Sequence, residues 1–148
     1  MVKELPLLEI TLRRYEKPYE STHRDLIRKV CLSLGLLQPG DSRDIIVDLL
    51  LVLEEARKQK NWLNSFEIRN KIEQIRKENS LENKGLAESN IRRQLKRLRD
   101  IMLVDKLENK YRLSEFETLA EIFRIKIESF IIPQTIERIK EYLGKLEE

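Results

Sequence analysis

The amino-acid sequence predicts a mainly α-helical protein that carries one small β-hairpin. Apolar residues recur at helical spacing along most of its 148 residues, and only 4 glycines and 4 prolines break the pattern. Two short runs, residues 103–107 and 110–113, flank Glu108 and Asn109 and are typical of hairpin strands. Hydrophobic residues make up 41% and charged residues 37%, which indicates a folded chain with a densely charged surface.

Positive charge is concentrated in one part of the chain. The formal net charge is only +3, whereas residues 84–112 hold nine basic and four acidic side chains, a local charge of about +5. The segment after Ser114 is net acidic. The abundance of Glu, Lys, Arg and Ile is typical of thermophile proteins. We therefore expect the basic segment, rather than the whole surface, to meet an anionic partner.

The sequence lacks the residues that most kinds of catalytic or metal site require. Cys31 is the single cysteine, which excludes an internal disulfide and a multi-cysteine zinc site, and its apolar surroundings predict a buried side chain. His23 is the single histidine, so neither a histidine metal centre nor a Ser-His-Asp triad has partners. The sequence has no glycine-rich phosphate loop. We expect a cytoplasmic protein without catalytic activity, cofactor or membrane segment, since the longest apolar run is short and carries Asp48.

Residues 1–40 predict an N-terminal extension with one helix. Alternation of apolar and polar residues over 8–12 favours a strand, although a short helix is compatible with the same residues. Thr22 and Asp25 have the spacing of a capping pair, and Pro39 with Gly40 predicts the end of the helix that they open. The apolar side chains expected on one face of this helix are Leu26, Ile27, Val30, Cys31 and Leu34.

Two further helices are predicted after this extension. The first starts at Asp41 or Ser42 as its N-cap, and apolar side chains cover most of its circumference through Leu53, which indicates a buried helix. The second is expected to begin at Asn64, whose spacing to Glu67 fits a capping box.

Residues 89–100 predict a helix with one apolar and one basic face. Ile91, Leu95, Leu98 and Met102 recur at helical spacing and are expected to face the core. A hairpin follows directly, and Asn109 is the turn residue that best tolerates a left-handed conformation. The outer face of the helix and its flanks carry Ser89, Asn90, Arg92, Arg93, Lys96 and Arg97.

The C-terminal part of the chain predicts two helices. Ser114 and Glu117 have capping-box spacing for the first, and Pro133 fits the first turn of the second. Apolar positions of the second helix alternate steps of three and four, as in a coiled-coil seam. These helices either pair with a second copy of the chain or cover the core of their own domain. The residues expected to form a dimer interface are Ile122, Ile125, Ile131, Ile132, Ile136, Ile139, Leu143 and Leu146.

The order of helices, basic helix and hairpin over residues 41–114 resembles the winged helix-turn-helix family, in particular the small MarR-like and PadR-like regulators of bacteria and archaea. The most specific stretch is GLAESNIRRQLKRLRDIMLVDKLENKYRLS, where small polar residues open a helix and YRLS leaves the hairpin. Ile101 and Met102 stand where the family often has a glycine, so we expect a tighter or more helical turn there. The expected organisation is an N-terminal extension over 1–40, a winged helix-turn-helix core over 41–114 and C-terminal dimerisation helices over 115–148.

The resemblance implies a homodimeric transcriptional regulator that binds double-stranded DNA. Arg93 and Arg97 lie a turn apart in a helix and would read guanine edges in the major groove. The other polar residues of this helix would contact phosphates or an adenine edge, namely Ser89, Asn90, Arg92 and Lys96. The hairpin would be the wing and would lie along the DNA backbone or minor groove with Lys106, Lys110 and Arg112.

Two other interpretations fit the same residues. A winged helix of this kind can bind protein, as a subunit of a chromosome-maintenance, replication or transcription assembly. A basic helix face can also be merely solvated, with its cations held in surface ion pairs. The sequence has no signature for an operator, for the sign of regulation or for a small-molecule effector.

Overall fold

The computed structural model describes residues 4–148, which form a mainly helical fold with a small antiparallel sheet, as predicted. The helices are α1 His23–Ser33, α2 Ile45–Lys58, α3 Ser65–Glu78, α4 Glu88–Asp100, α5 Leu119–Ile122 and α6 Ile132–Leu146. The strands are β1 Leu63–Asn64, β2 Val104–Leu107 and β3 Lys110–Leu113. A 3₁₀ turn, Ser114–Phe116, follows β3, and a π-helical segment, Phe123–Ile131, joins α5 to α6. Within residues 4–148, no helix is both long and apolar enough to cross a membrane.

Helix α2 forms the centre of the hydrophobic core. It packs against α1 on one side and α3 on the other, and it also contacts β3. This confirms the prediction of a helix that is buried on most sides through Leu53, because neighbours cover it on several sides. Its buried apolar residues are Ile45, Ile46, Val47, Leu49, Leu50, Val52, Leu53 and Ala56.

The first turn of α2 lies in a cluster of ion pairs. The helix begins after Asp44, so the predicted N-caps Asp41 and Ser42 are wrong. The Asp44 carboxylate accepts hydrogen bonds from arginines instead of capping the helix, and the fully buried Asp48 carboxylate does the same one turn later. The arginines come from α1 and α3 and are Arg24, Arg28 and Arg76.

The start of α3 follows the predicted capping pattern. The Asn64 side chain accepts from the Glu67 amide at 2.7 Å, and the Glu67 carboxylate accepts from the Asn64 amide at 3.0 Å. Leu63 and Asn64 also form strand β1, which was not predicted because two residues are too few for a strand pattern. The sheet order is β1-β3-β2, so β1 lies beside the second strand of the hairpin.

The predicted hairpin is present, with Val104 paired to Leu113 and Leu107 paired to Lys110. The left-handed residue in its turn is Glu108, with φ 57°, and not Asn109 as predicted. Positive φ only at the first of the two central residues is the type II′ pattern. In such a turn the second residue, here Asn109, does not need the left-handed conformation that asparagine tolerates.

The N-terminal extension forms no strand and no helix over residues 8–12, in contrast to the prediction. It is anchored to the end of α1 by Arg13, whose guanidinium donates to the carbonyl oxygens of Leu32 at 2.8 Å and Leu37 at 3.1 Å. The extension also passes so close to Gly35 that a Cβ there would lie 2.4 Å from the Thr11 Cβ. The Arg13 backbone amide also donates to the Ser33 carbonyl oxygen at 2.8 Å, so the extension bonds to a helix end and not to a neighbouring strand, as strand pairing would require.

Helix α1 begins as predicted, with the Thr22 hydroxyl accepting from the Asp25 amide at 3.1 Å. Cys31 is buried as predicted, and burial raises the pKa of its thiol to about 12. Leu26 and Val30, in contrast, remain about two-fifths exposed. They line an apolar groove of about 540 Å³ together with the extension and Phe123.

The C-terminal helical segment starts four residues later than the capping prediction. The Thr118 hydroxyl, and not Ser114, is the N-cap and accepts from the Glu121 amide at 3.2 Å. The π-helical segment then widens the helical turn, so the buried residues are Ile122, Ile127 and Ile131, and Phe130 is exposed. Ile122 is only 2% exposed, as is Ile131, so both belong to the chain's own core and not to a dimer interface as predicted.

Candidate nucleic-acid interface

Helix α4 is held in place by its apolar face. Ile91, Leu95 and Leu98 are fully buried, as predicted, and the helix packs against α3 and β2. Met102 adopts a left-handed conformation with φ 65° and ends the helix. The apolar face therefore fixes which side chains of α4 face outward.

Four of the predicted contact residues of α4 are exposed, namely Ser89, Arg92, Arg93 and Lys96. Two of the cations are in helical ion pairs, Arg92 with Glu88 at 3.1 Å and Lys96 with Asp100 at 3.2 Å. Such exposed pairs contribute under about 1 kcal/mol and exchange readily for other anions. Arg93 donates to the Asn90 side-chain oxygen at 3.3 Å, and within residues 4–148 no carboxylate lies within 4 Å of it.

Asn90 differs from the prediction because its side chain has a structural role. It is half-buried, and its amide donates to the Gly85 carbonyl at 2.8 Å. Its side-chain oxygen accepts from Arg93 and from Gln94 at 3.2 Å. The side chain thus ties the turn before α4 to the first turns of the helix, and its hydrogen-bonding groups are used within the chain.

Arg97 is the largest departure from the predicted surface. Its guanidinium is half-buried and donates to the Gly35 carbonyl at 3.1 Å and to the Gln94 side chain at 2.7 Å. The connection between α1 and α2 passes beside α4 at this position, so Arg97 faces its own chain. The prediction that Arg93 and Arg97 project together is therefore wrong for Arg97.

The hairpin exposes two of its three predicted cations. Lys106 and Lys110 are exposed, and the Lys106 ammonium lies 5.7 Å from the centroid of the Tyr111 ring. Arg112, in contrast, is half-buried between aromatic rings, 4.4 Å from the centroid of Trp62 and 4.7 Å from that of Phe116. It also donates to the Asp105 carboxylate at 2.9 Å. These contacts give Arg112 a structural role that was not predicted, since its Nε donor and its planar face already have partners.

Two cations that were not predicted as site residues line the groove between α4 and the hairpin. The groove has a volume of about 630 Å³, and both Arg99 and Lys126 border it. Arg99 belongs to the basic stretch of the sequence and could have been included. Lys126 lies in the π-helical segment, and no local signal in the sequence places it beside the hairpin.

Helix α6 leaves its predicted seam open. Residues 133–146 are all exposed, and the main contact of the helix is with the π-helical segment that precedes it. Ile125 remains 39% exposed, while Ile132 is partly covered by the core. The exposed fractions of the seam residues are 47% for Ile136, 54% for Ile139, 54% for Leu143 and 78% for Leu146.

The chain matches no known family model, no curated protein and no solved structure.

Proposed function

We propose that this protein is a winged helix-turn-helix regulator of transcription that binds double-stranded DNA as a homodimer. The observation that carries the proposal is the basic face of α4, exposed directly beside the lysines of the hairpin. The element order α2, β1, α3, α4, β2, β3 with sheet order β1-β3-β2 supports α4 as recognition helix and the hairpin as wing. In this arrangement, one helix enters the major groove while the wing reaches the flanking backbone.

The exposed residues have distinct roles in this proposal. Arg93 is the candidate for reading a base, because a guanidinium that has no carboxylate partner can donate two hydrogen bonds to guanine O6 and N7. Arg92 and Lys96 exchange a carboxylate for a phosphate when DNA binds, and Lys106 and Lys110 approach the backbone from the wing. Arg97 and Arg112 bond within the chain and help to hold this surface in place.

Two observations support a dimer: one recognition helix alone would bind DNA weakly, and the apolar face of α6 is uncovered. A helix with about five phosphate contacts binds weakly and without sequence preference at physiological salt. The seam residues Ile136, Ile139, Leu143 and Leu146 repeat in steps of three and four on a helix that this chain leaves uncovered. Two-fold pairing of α6 would join two recognition helices and demand an inverted-repeat site.

The experiment that tests this function is selection of duplex DNA from a random pool at two salt concentrations, followed by sequencing. We expect an inverted repeat to be enriched. The Arg93→Ala variant should bind that sequence about 1–3 kcal/mol more weakly. Arg138→Ala, an exposed arginine on α6, is the matched control and should bind like the unaltered protein. A pool without enrichment, or equal affinity of Arg93→Ala, contradicts the proposal.

A second candidate is a winged-helix subunit of a chromosome-maintenance, replication or transcription assembly that binds protein through α6. The open apolar seam, with the 72% exposed Tyr142 on its flank, favours it, because such a stripe can receive a helix of another protein. A chain that is monomeric in solution, does not bind DNA in a salt-sensitive manner, and captures one defined protein through α6 would favour this candidate.

A further inference from the structure

The groove between α4 and the hairpin collects positive charge from three separate parts of the chain. Helix α4, the hairpin strands and the π-helical segment all contribute to its lining. We call it the α4–wing groove. Its charged residues are Lys96, Arg99, Asp100, Asp105, Lys106, Arg112 and Lys126.

Ion pairing within the groove leaves three cations without a carboxylate. Lys96 holds Asp100 at 3.2 Å and Arg112 holds Asp105 at 2.9 Å, so both carboxylates of the groove are neutralised by neighbours. Asp105 additionally accepts from the amide of Glu115 at 3.0 Å. Within the described chain, no carboxylate lies within 4 Å of the three remaining cations, Arg99, Lys106 and Lys126.

Lys126 is the most informative of the three. It is half-buried, whereas most lysines of this chain are exposed and many are paired. Since no carboxylate of the described residues pairs with its ammonium, an external anion in the groove can bind there. Lys106 and Lys126 come from outside α4, so the cations of the groove do not all belong to that helix.

We infer that the α4–wing groove holds phosphate groups of one DNA strand, with Arg99, Lys106 and Lys126 as their ligands. This inference rests on the proposed function and extends the DNA contact from the wing to the C-terminal helical segment. A phosphodiester chain fits the lining better than an acidic peptide does. Arg112 covers the Trp62 ring, the largest apolar side chain of the groove, so the groove lacks an aromatic socket for a peptide anchor.

The test compares the salt dependence of duplex binding for Lys126→Ala and for Lys71→Ala. Lys71 is an exposed lysine on α3, outside the groove, and serves as the matched control. Each lost phosphate contact makes the slope of log affinity against log salt about 0.9 less steep. Between 50 and 200 mM salt, the affinity of such a variant should therefore fall by a factor about 3.5 times smaller than that of the unaltered protein. We expect this change for Lys126→Ala and for Arg99→Ala, and no change for Lys71→Ala. Lys126→Gln, which keeps the stem of the side chain, should repeat the result if the alanine variant folds poorly.

The outcomes separate the groove from the proposed function. A reduced slope for Lys126→Ala and Lys126→Gln supports the groove. An unchanged slope for both, while Arg93→Ala still weakens specific binding, overturns the groove and leaves the proposed function standing. If the unaltered protein does not bind duplex DNA, or binds a poly-glutamate peptide through Lys126 instead, both are overturned.

Discussion

The guanidinium of Arg76 on α3 donates to the Asp48 carboxylate on α2 at 2.6 Å, and both side chains are buried. The same guanidinium donates to Asp44 at 3.0 Å and to the Glu82 carbonyl at 2.5 Å. Arg76 therefore joins the centre of the core to the connection that leads into α4.

We expect Asp48→Ala to lower the free energy of unfolding by about 3–5 kcal/mol, because it leaves two arginines without their buried partner. Urea denaturation followed by circular dichroism measures the loss. Glu55→Ala removes an exposed ion pair with Lys58 at 3.2 Å and should change stability by under about 0.5 kcal/mol. Equal losses for the two variants would show that the buried cluster does not stabilise the fold.

The stability of the protein should fall in acid partly through Asp44. Burial raises the pKa of this carboxyl, but the hydrogen bond from Arg76 and the charge of Arg24 outweigh burial and bring the pKa below its ordinary value of 3.8. A group whose pKa is lower in the folded state stabilises the fold above pH 3.8 and loses that effect as the pH falls through the folded pKa. The free energy of unfolding, measured from pH 6 to pH 2, should therefore be lower at pH 6 for Asp44→Asn than for the unaltered protein. It should also fall less steeply with pH in this variant. A parallel decline in both proteins would contradict the assignment to Asp44.

Gly35 should be irreplaceable where the N-terminal extension passes over the end of α1. Its φ is 70°, and a Cβ would lie 2.4 Å from that of Thr11, so Gly35→Ala combines backbone strain with a clash. We expect a loss of at least about 2 kcal/mol in thermal or urea unfolding. Gly144→Ala is the control, since a Cβ there meets no atom of the described residues within 4 Å and alanine favours the helix by about 0.5–1 kcal/mol.

Ile139→Lys should convert the proposed dimer to a monomer, because it places a charge in the middle of the open seam of α6. Sedimentation velocity measures the oligomeric state, and operator affinity should fall by two orders of magnitude or more once the two sites are no longer linked. Gln134→Lys lies outside the seam on the same helix and should remain dimeric. A dimer that persists in Ile139→Lys would place the interface elsewhere.

Local patterns in the sequence were sufficient for most helices and for the hairpin. The capping pairs at Thr22 and Asn64 form as predicted because cap hydrogen bonds join residues three apart. The inner face of α4 follows from its periodicity for the same local reason. The C-terminal helix begins after Thr118 and not at Ser114, because two capping patterns compete there and only packing selects one.

The sequence by itself determined where helices and the hairpin form and which stretch carries the positive charge, because those features depend on neighbours along the chain. The tertiary structure alone decided which of the cations face outward. Arg97 bonds to a carbonyl 62 positions away, and Lys126 reaches the groove through a π-helical segment that changes the helical phase. A helical wheel states which side chains share a face, but it contains no information on what covers that face, because such contacts join residues far apart in the chain.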